Sequence, residues 1–135
     1  RLLGTGDTRR VQRDREATAA RFAREHGVVL ALKGAGTVVT DGERVFVNPT
    51  GNPGMATGGT GDVLTGLTAG LLCQGLEPFE ALQLAVFVHG LAGDMAARDV
   101  GELSMTAEDL LERVPEAFLA ATNAKGDPAA AMAAV

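Results

Sequence analysis

The chain has 135 residues, of which 46% are hydrophobic, and a formal net charge of −5. This length suits one modest domain with an apolar core. The acidic balance argues against a nucleic-acid-binding surface, and the lack of a run of about 18 apolar residues predicts no membrane span. Cys73 is the one cysteine, so no internal disulfide can form. We expect it to be a small core residue in a cytoplasmic protein.

The first part of the chain predicts a helix followed by a small sheet. A run rich in Ala, Arg and Glu predicts a helix over Val11–His26, stopped by Gly27. The short apolar run Val28–Leu32 is typical of a strand buried on both faces. The β-branched runs Thr37–Thr40 and Arg44–Asn48 flank an Asp-Gly pair, which is a strong signal for a hairpin.

The second part predicts three helices. The first covers Thr60–Gly75, and the second covers Pro78–Asp99, where proline suits the first helical turn. Thr106 and Asp109 resemble a capping box that begins the third helix, and Pro115 is expected to end or kink it. The element order is therefore helix, strand, hairpin, glycine-rich loop and three helices, which indicates part of an α/β sandwich.

Two further expectations concern packing and extent. Gly66 and Gly70 lie one helical turn apart, which favours a helix face pressed closely against a neighbour. Three strands are few for this many apolar helices, and the chain begins abruptly at Arg1. We therefore expect residues 1–122 to be the C-terminal part of a larger domain, inactive by themselves, and the Ala-rich residues 123–135 to be a disordered tail.

The most informative segment is the glycine-rich loop over residues 48–66, which reads NPTGNPGMATGGTGDVLTG. It leads directly into an apolar helical pattern. Backbone N–H groups at a helix N-terminus have no internal partner and attract anions, so the row from Gly58 to Gly61 predicts a phosphate cradle. Asp62 lies inside this row, where a phosphate would repel it. A catalytic base for a substrate hydroxyl explains the acid, while a plain first-turn charge is the alternative.

A second cluster, Lys33–Thr37, reads KGAGT and directly follows the first predicted strand. Ligands of open α/β sheets bind beyond the carboxyl ends of strands. Lys33 supplies a positive charge for phosphate, the glycines permit close approach of the backbone, and Thr37 offers a hydroxyl. A surface lysine in a tight turn is the alternative. Together the two clusters predict a cation and an N–H cradle at one edge of the sheet.

With the two clusters in this order, the sequence resembles the C-terminal half of the NAD(P)H-hydrate dehydratases, which belong to the ribokinase-like superfamily. The resemblance implies a ribokinase-like three-layer α/β/α sandwich, of which this chain is the C-terminal portion. It implies that Asp62 contacts the substrate and acts in catalysis. The residues expected to bind the nucleotide are Lys33, Gly34, Ala35, Gly36, Thr37, Asn52, Gly58, Gly59, Thr60 and Gly61. His89–Asp94 also matches the family pattern, but we assign it no chemistry.

The activity implied by the resemblance is dehydration of the S form of NAD(P)H hydrate to NAD(P)H, driven by ADP or ATP. Mg²⁺ is expected to accompany the nucleotide, although no protein ligand for a metal is visible in the sequence. A homotetramer is expected from the resemblance. Two other functions remain open. The first is a ribokinase-like kinase for a vitamin precursor, and the second is a nucleotide-binding segment without turnover.

Overall fold

The computed structural model describes residues 8–123, with side chains from residue 11 onward. The abrupt start at Arg1 and residues 124–135 of the predicted tail lie outside this range, whereas Asn123, the first residue of that tail, is in a helix. The chain divides into two compact units, and the boundary between them falls between Val47 and Asn48.

The first unit begins with two helices, α1 (Thr8–Arg13) and α2 (Arg15–His26). The prediction of one continuous helix is wrong at Asp14, which leaves helical geometry with a φ of −149°. Its carboxylate accepts the N–H of Ala17 at 3.1 Å and so caps α2. Aspartate is common at the N-cap of a helix, because its side chain accepts a hydrogen bond from an N–H group that has no partner within the helix. Gly27 ends α2 in the left-handed conformation, as expected.

Three short strands follow: β1 (Leu30–Leu32), β2 (Val38–Thr40) and β3 (Val45–Val47). They form an antiparallel sheet in the order β1-β2-β3, and α2 packs against β1 and β2. The hairpin prediction is confirmed. The prediction of full burial for the first strand is wrong, because β1 is half-buried and Val28 lies before it, 42% exposed. The fully buried strand is β2, which has a neighbour on each side.

Asp41 organises the hairpin turn between β2 and β3. Its Oδ1 accepts the N–H groups of Glu43 at 2.9 Å and Arg44 at 2.7 Å, and its Oδ2 pairs with the Arg44 guanidinium. The N–H of Arg44, then that of Glu43, lowers the pKa of Asp41 from 3.8 to about 2. A carboxyl with a lowered pKa stabilises the fold above its unfolded pKa. The turn therefore keeps its full contribution above about pH 4 and loses it toward pH 2.

The second unit contains a short 3₁₀ helix (Pro53–Met55) and three α-helices, α3 (Thr60–Cys73), α4 (Pro78–Val100) and α5 (Ala107–Asn123). Helix α4 is the core of the unit and packs against both α3 and α5. No helix within residues 8–123 has the length and apolar character needed to cross a membrane. The fold is therefore mixed, with an α-on-sheet unit followed by a helical one.

Helix α5 begins with the predicted capping box. The Asp109 carboxylate accepts the N–H of Thr106 at 2.8 Å, and the Thr106 hydroxyl accepts the N–H of Asp109 at 3.3 Å. The Thr106 hydroxyl also donates to the Asp109 carboxylate at 2.6 Å, and this bond, followed by the one from the Thr106 N–H, lowers the pKa of Asp109. Pro115 does not end the helix, which continues to Asn123.

Two packing predictions for α3 are wrong. Gly66 and Gly70 are exposed, and a Cβ built on either would meet nothing within 4 Å among the described atoms. Cys73, at the last turn, is also exposed. The side chains that α3 buries are Thr60, Leu64 and Leu71, so its glycines lie off the packed face. Glycine spacing alone does not tell which face of a helix is covered.

Candidate functional site

The first turn of α3 presents a row of backbone N–H groups. Gly59 precedes the helix with a φ of 91°, in the left-handed region, and supplies no side-chain cap. The N–H groups of Gly58, Gly59, Thr60 and Gly61 have no hydrogen-bond acceptor among the described residues. Gly58 and Gly59 are exposed to solvent. Uncapped N–H groups at the positive end of a helix dipole are suited to binding an anion.

Asp62 lies in the same helical turn as this N–H row. Its side chain is exposed, and its own N–H is occupied by the Gly59 carbonyl at 3.0 Å. The carboxylate is therefore accessible to a ligand held by the glycine N–H groups. An accessible acid beside an anion site has the arrangement needed for a base that takes a proton from a substrate hydroxyl.

Thr60 fixes the position of this turn. The residue is 5% exposed, and its hydroxyl lies 2.9 Å from the Met55 carbonyl and 3.0 Å from the Thr57 carbonyl. On the other side, Nε2 of His89 donates a hydrogen bond to the Thr60 carbonyl at 2.7 Å. A carbonyl only accepts, so Nε2 must carry the proton. The loop and α4 thus both hold the residue that begins α3.

One face of α4 supports the rest of the loop. Asn48 donates to the Val86 carbonyl at 3.0 Å, and the Thr50 hydroxyl donates to the Phe87 carbonyl at 2.9 Å. Both loop side chains are buried. Buried polar groups of this kind need partners, and the helix backbone supplies them. The loop therefore takes its shape from a helix that follows it in the sequence.

Two glycines of α4 let the loop approach closely. A Cβ on Gly90 would lie 2.8 Å from the carbonyl carbon of Thr50, and a Cβ on Gly93 would lie 2.5 Å from Sδ of Met55. Real Cβ atoms do not come this close to backbone, so Gly90 has no room for a side chain. This role of the segment from His89 to Asp94 was not predicted from the sequence. The available signal was a set of polar and glycine residues on an otherwise buried helix.

We expect Gly90→Ala to lower the free energy of unfolding by about 1–3 kcal/mol, the usual cost of overpacking. Gly66→Ala is the matched control, since it is also within a helix but points into open space. There alanine should stabilise by roughly 0.5–1 kcal/mol through helix propensity. Urea unfolding of both variants measures the difference. Equal effects of the two substitutions would show that the loop does not press on α4 at Gly90.

Asn52 lies inside the loop with both ends of its amide in use. Its Nδ2 donates to Oδ1 of Asp94 at 2.9 Å, and its Oδ1 accepts the N–H of Gly54 at 3.0 Å. It thereby caps the 3₁₀ helix that begins at Pro53. Its predicted contact with a nucleotide stays a prediction.

In the first unit, the segment Lys33–Thr37 forms the turn between β1 and β2. The Thr37 hydroxyl donates to the Gly34 carbonyl at 3.1 Å, which closes the turn. Lys33, Gly34 and Ala35 are exposed. The backbone is left-handed at Gly36, where φ is 61°. The geometry therefore presents a cation and open backbone to solvent at the carboxyl end of a strand, as expected.

Arg15 braces this turn, a role that was not predicted from the sequence. Its Nη2 donates to the Leu32 carbonyl at 2.8 Å and to the Lys33 carbonyl at 3.2 Å. The guanidinium also fills the space above Gly34, where a Cβ would lie 3.0 Å from Nη1. Nothing in the local sequence pairs Arg15 with a turn so distant in sequence.

The two predicted clusters fall in different units, Lys33–Thr37 in the first and Gly58–Asp62 in the second. That they act on one ligand stays a prediction. Within residues 8–123, no three side chains of His, Cys, Asp or Glu come together as a metal site.

Comparisons with known proteins identify the family of this chain. The family model for NAD(P)H-hydrate dehydratase matches residues 1–116. The bifunctional NAD(P)H-hydrate repair enzyme of Moorella thermoacetica is 56% identical over 117 residues, covering 85% of this chain and 22% of that protein. The ADP-dependent (S)-NAD(P)H-hydrate dehydratase of Cenarchaeum symbiosum is 44% identical over 101 residues, covering 75% of this chain and 35% of that protein.

Among solved structures, the ADP/ATP-dependent NAD(P)H-hydrate dehydratase of Bacillus subtilis, co-crystallised with ATP and Mg²⁺, is similar with a TM-score of 0.76 and 33% identity. The match covers 81% of this chain and 40% of that one. The expected ribokinase-like α/β fold class is confirmed, for part of a domain. The chain spans only about a fifth to a third of the length of the two relatives named above. It belongs to the NAD(P)H-hydrate dehydratase family.

Proposed function

We propose that the protein carrying this chain dehydrates the S form of NAD(P)H hydrate to NAD(P)H, using ADP or ATP, and that residues 1–122 are part of its catalytic domain. The observation that carries the proposal is the N–H row at the start of α3, where Gly58 and Gly59 are exposed, with Asp62 in the same turn. An N–H row of this kind could bind many anions. Family membership favours a nucleotide and NAD(P)H hydrate as its ligands, because named relatives are NAD(P)H-hydrate dehydratases.

The chemistry follows from a leaving-group problem, since hydroxide leaves a carbon centre poorly. Transfer of the terminal phosphoryl group of the nucleotide to the hydroxyl of the hydrate forms a C–O–P bond and releases the shortened nucleotide. Asp62 takes the hydroxyl proton, and the N–H groups of Gly58 to Gly61 stabilise charge on the phosphoryl oxygens. Phosphate then departs with the C–O electron pair, and loss of a proton from the neighbouring ring carbon restores the double bond.

We propose that Lys33–Thr37 and Gly58–Gly61 are residues that bind the nucleotide. Mg²⁺ typically keeps several waters and binds substrate phosphates with one or two carboxylates. Among the described residues, Asp62 is an exposed carboxylate, and no three possible ligands come together. This arrangement fits a Mg²⁺ ion that arrives with the nucleotide. Mg²⁺ would neutralise phosphate charge there. We also propose, from the family resemblance, a cytoplasmic homotetramer, which analytical ultracentrifugation would test.

The deciding experiment incubates the full-length protein with hydrated NADH and either ADP or ATP, and follows the return of reduced-nicotinamide absorbance. Recovery that requires a nucleotide supports the proposal. A vitamin-precursor kinase would consume ATP with its own substrate and leave the hydrate unchanged. A nucleotide-binding segment would bind ADP in calorimetry without turnover. Absence of recovery with both nucleotides would reject the dehydratase assignment.

Lys33→Ala is expected to weaken binding of ADP by on the order of 1–3 kcal/mol, the range for hydrogen bonds to charged groups. The reason is that Lys33 is exposed and lies in the turn proposed to hold a phosphate. Adenosine, which lacks phosphate, should bind the variant about as well as the wild type. Calorimetry with both ligands checks this, and equal losses for ADP and adenosine would place Lys33 away from the phosphates.

A further inference from the structure

Asp94 and Asn52 form a continuous chain of hydrogen bonds from α4 into the glycine loop. Oδ2 of Asp94 accepts the N–H of Gly51 at 2.8 Å, and Oδ1 accepts Nδ2 of Asn52 at 2.9 Å. Oδ1 of Asn52 in turn accepts the N–H of Gly54 at 3.0 Å. One carboxylate and one amide therefore hold the loop at two backbone positions, on either side of Asn52.

The chain of hydrogen bonds has a fixed direction. An ionised carboxylate only accepts, whereas an amide has a donor end and an acceptor end. The N–H of Gly54 can only donate, so it requires the oxygen of Asn52, and the nitrogen must then face Asp94. If Asp94 alone becomes an amide, two hydrogen-bond donors face each other. If Asn52 alone becomes a carboxylate, two acceptors face each other.

The segment from Gly51 to Gly54, which these hydrogen bonds hold, leads to the N–H row. Met55, which follows Gly54, supplies the carbonyl that lies 2.9 Å from the Thr60 hydroxyl. Gly54 itself is confined, because a Cβ there would lie 2.6 Å from the Glu102 carbonyl oxygen. A shift at Gly54 is thus passed to Met55 and then to Thr60, the first residue of α3.

We propose that Asp94 and Asn52 are a positioning pair, which sets the affinity of the N–H row for the phosphates of the nucleotide without touching it. This inference rests on the proposed function, because it takes the nucleotide as the ligand of that row. It assigns Asn52 to the loop framework rather than to direct contact with the ligand. It also gives a role to Asp94, which takes no part in the proposed chemistry.

The test is a double-mutant cycle in the full-length protein, with Kd for ADP measured by calorimetry. In Asp94→Asn, the new amide donor faces either Nδ2 of Asn52 or the N–H of Gly51. In Asn52→Asp, two carboxylates face each other. Each single variant is expected to raise Kd about tenfold or more, since hydrogen bonds to charged groups are among the strong ones.

The double variant restores every bond with the same net charge. Asn at position 94 accepts from Gly51 and donates to the new carboxylate at position 52, which also accepts from Gly54. Its Kd should return to within about threefold of wild type, the sign of a strongly coupled pair. In wild type, both single variants and the double variant, the Kd for adenosine and the number of binding sites per chain should stay the same. A general loss of folding would change both quantities.

Each other outcome overturns the inference. Wild-type Kd in either single variant would mean that its bonds do not set affinity. A double variant that is weaker than both single variants would mean that the new carboxylate meets the phosphates, so that Asn52 contacts the ligand directly. These results leave the dehydratase proposal intact if wild type still repairs the hydrate. Failure of wild type to bind ADP or ATP would reject both proposals.

Discussion

Asp62→Asn is expected to bind ADP about as well as wild type and to lose on the order of 10²–10⁴-fold in kcat, the usual loss when a general base is removed. The amide has the shape of the carboxylate but cannot take a proton from the hydroxyl of the hydrate. Since a negative charge beside a phosphate is unfavourable, its removal should not weaken nucleotide binding. Steady-state dehydration and calorimetry with the full-length protein measure the two quantities.

Glu80→Gln is the matched control for the loss of charge. Glu80 is also an exposed acid in the first turn of a helix, α4, so its replacement costs the same interaction with a helix dipole. We expect its kcat to stay at the wild-type value. A near-normal kcat in Asp62→Asn would remove Asp62 from the catalytic step.

Gly59→Val is expected to abolish detectable binding of ADP. Gly59 has a φ of 91°, which a β-branched residue rarely adopts, and its Cβ would lie 2.9 Å from Cβ of Ala107. To relieve the backbone strain and the close contact with Ala107, the backbone at position 59 must rotate. The N–H groups on each side of this position then no longer point at one phosphate. Calorimetry gives the loss of affinity, and circular dichroism reports whether the helices remain.

Gly75→Val separates strain from binding. Gly75 lies beyond the other end of α3, has a φ of 89°, and would place its Cβ in open space. It should suffer a similar backbone strain, of order 1–3 kcal/mol, and keep its affinity for ADP. If both variants bind ADP normally, the N–H row is not the phosphate site. If Gly59→Val loses its helical signal, the glycine is needed for folding.

Local chemistry predicted the elements that carry the candidate site residues. The start of α3 at Thr60 was predicted correctly, because an apolar helical pattern begins at Val63, directly after the crowded glycines. The hairpin was predicted from Asp-Gly, and the structure places Gly42 at a φ of 101°, where glycine is favoured. In each case the deciding interactions are between residues close in sequence.

The features that the sequence did not reveal depend on distant partners. The brace from Arg15 to Lys33 joins residues on separate elements, and the contact of Gly90 with Thr50 joins a helix to a loop far before it. The break at Asp14 is different, because the run around it favours helix. A side-chain cap competed with helix propensity there and prevailed.

The support of the loop by α4 sets the order in which the site can form. Asn52 and Asp94 are 42 positions apart, and Thr60 and His89 are 29 apart. Closing such long loops costs chain entropy before any contact compensates for it. On a ribosome, the glycine loop emerges well before the helix that shapes it. We therefore expect the nascent chain to acquire affinity for nucleotide only after α4 has been released and docked, so that the ligand stabilises a late stage of folding rather than guiding an early one.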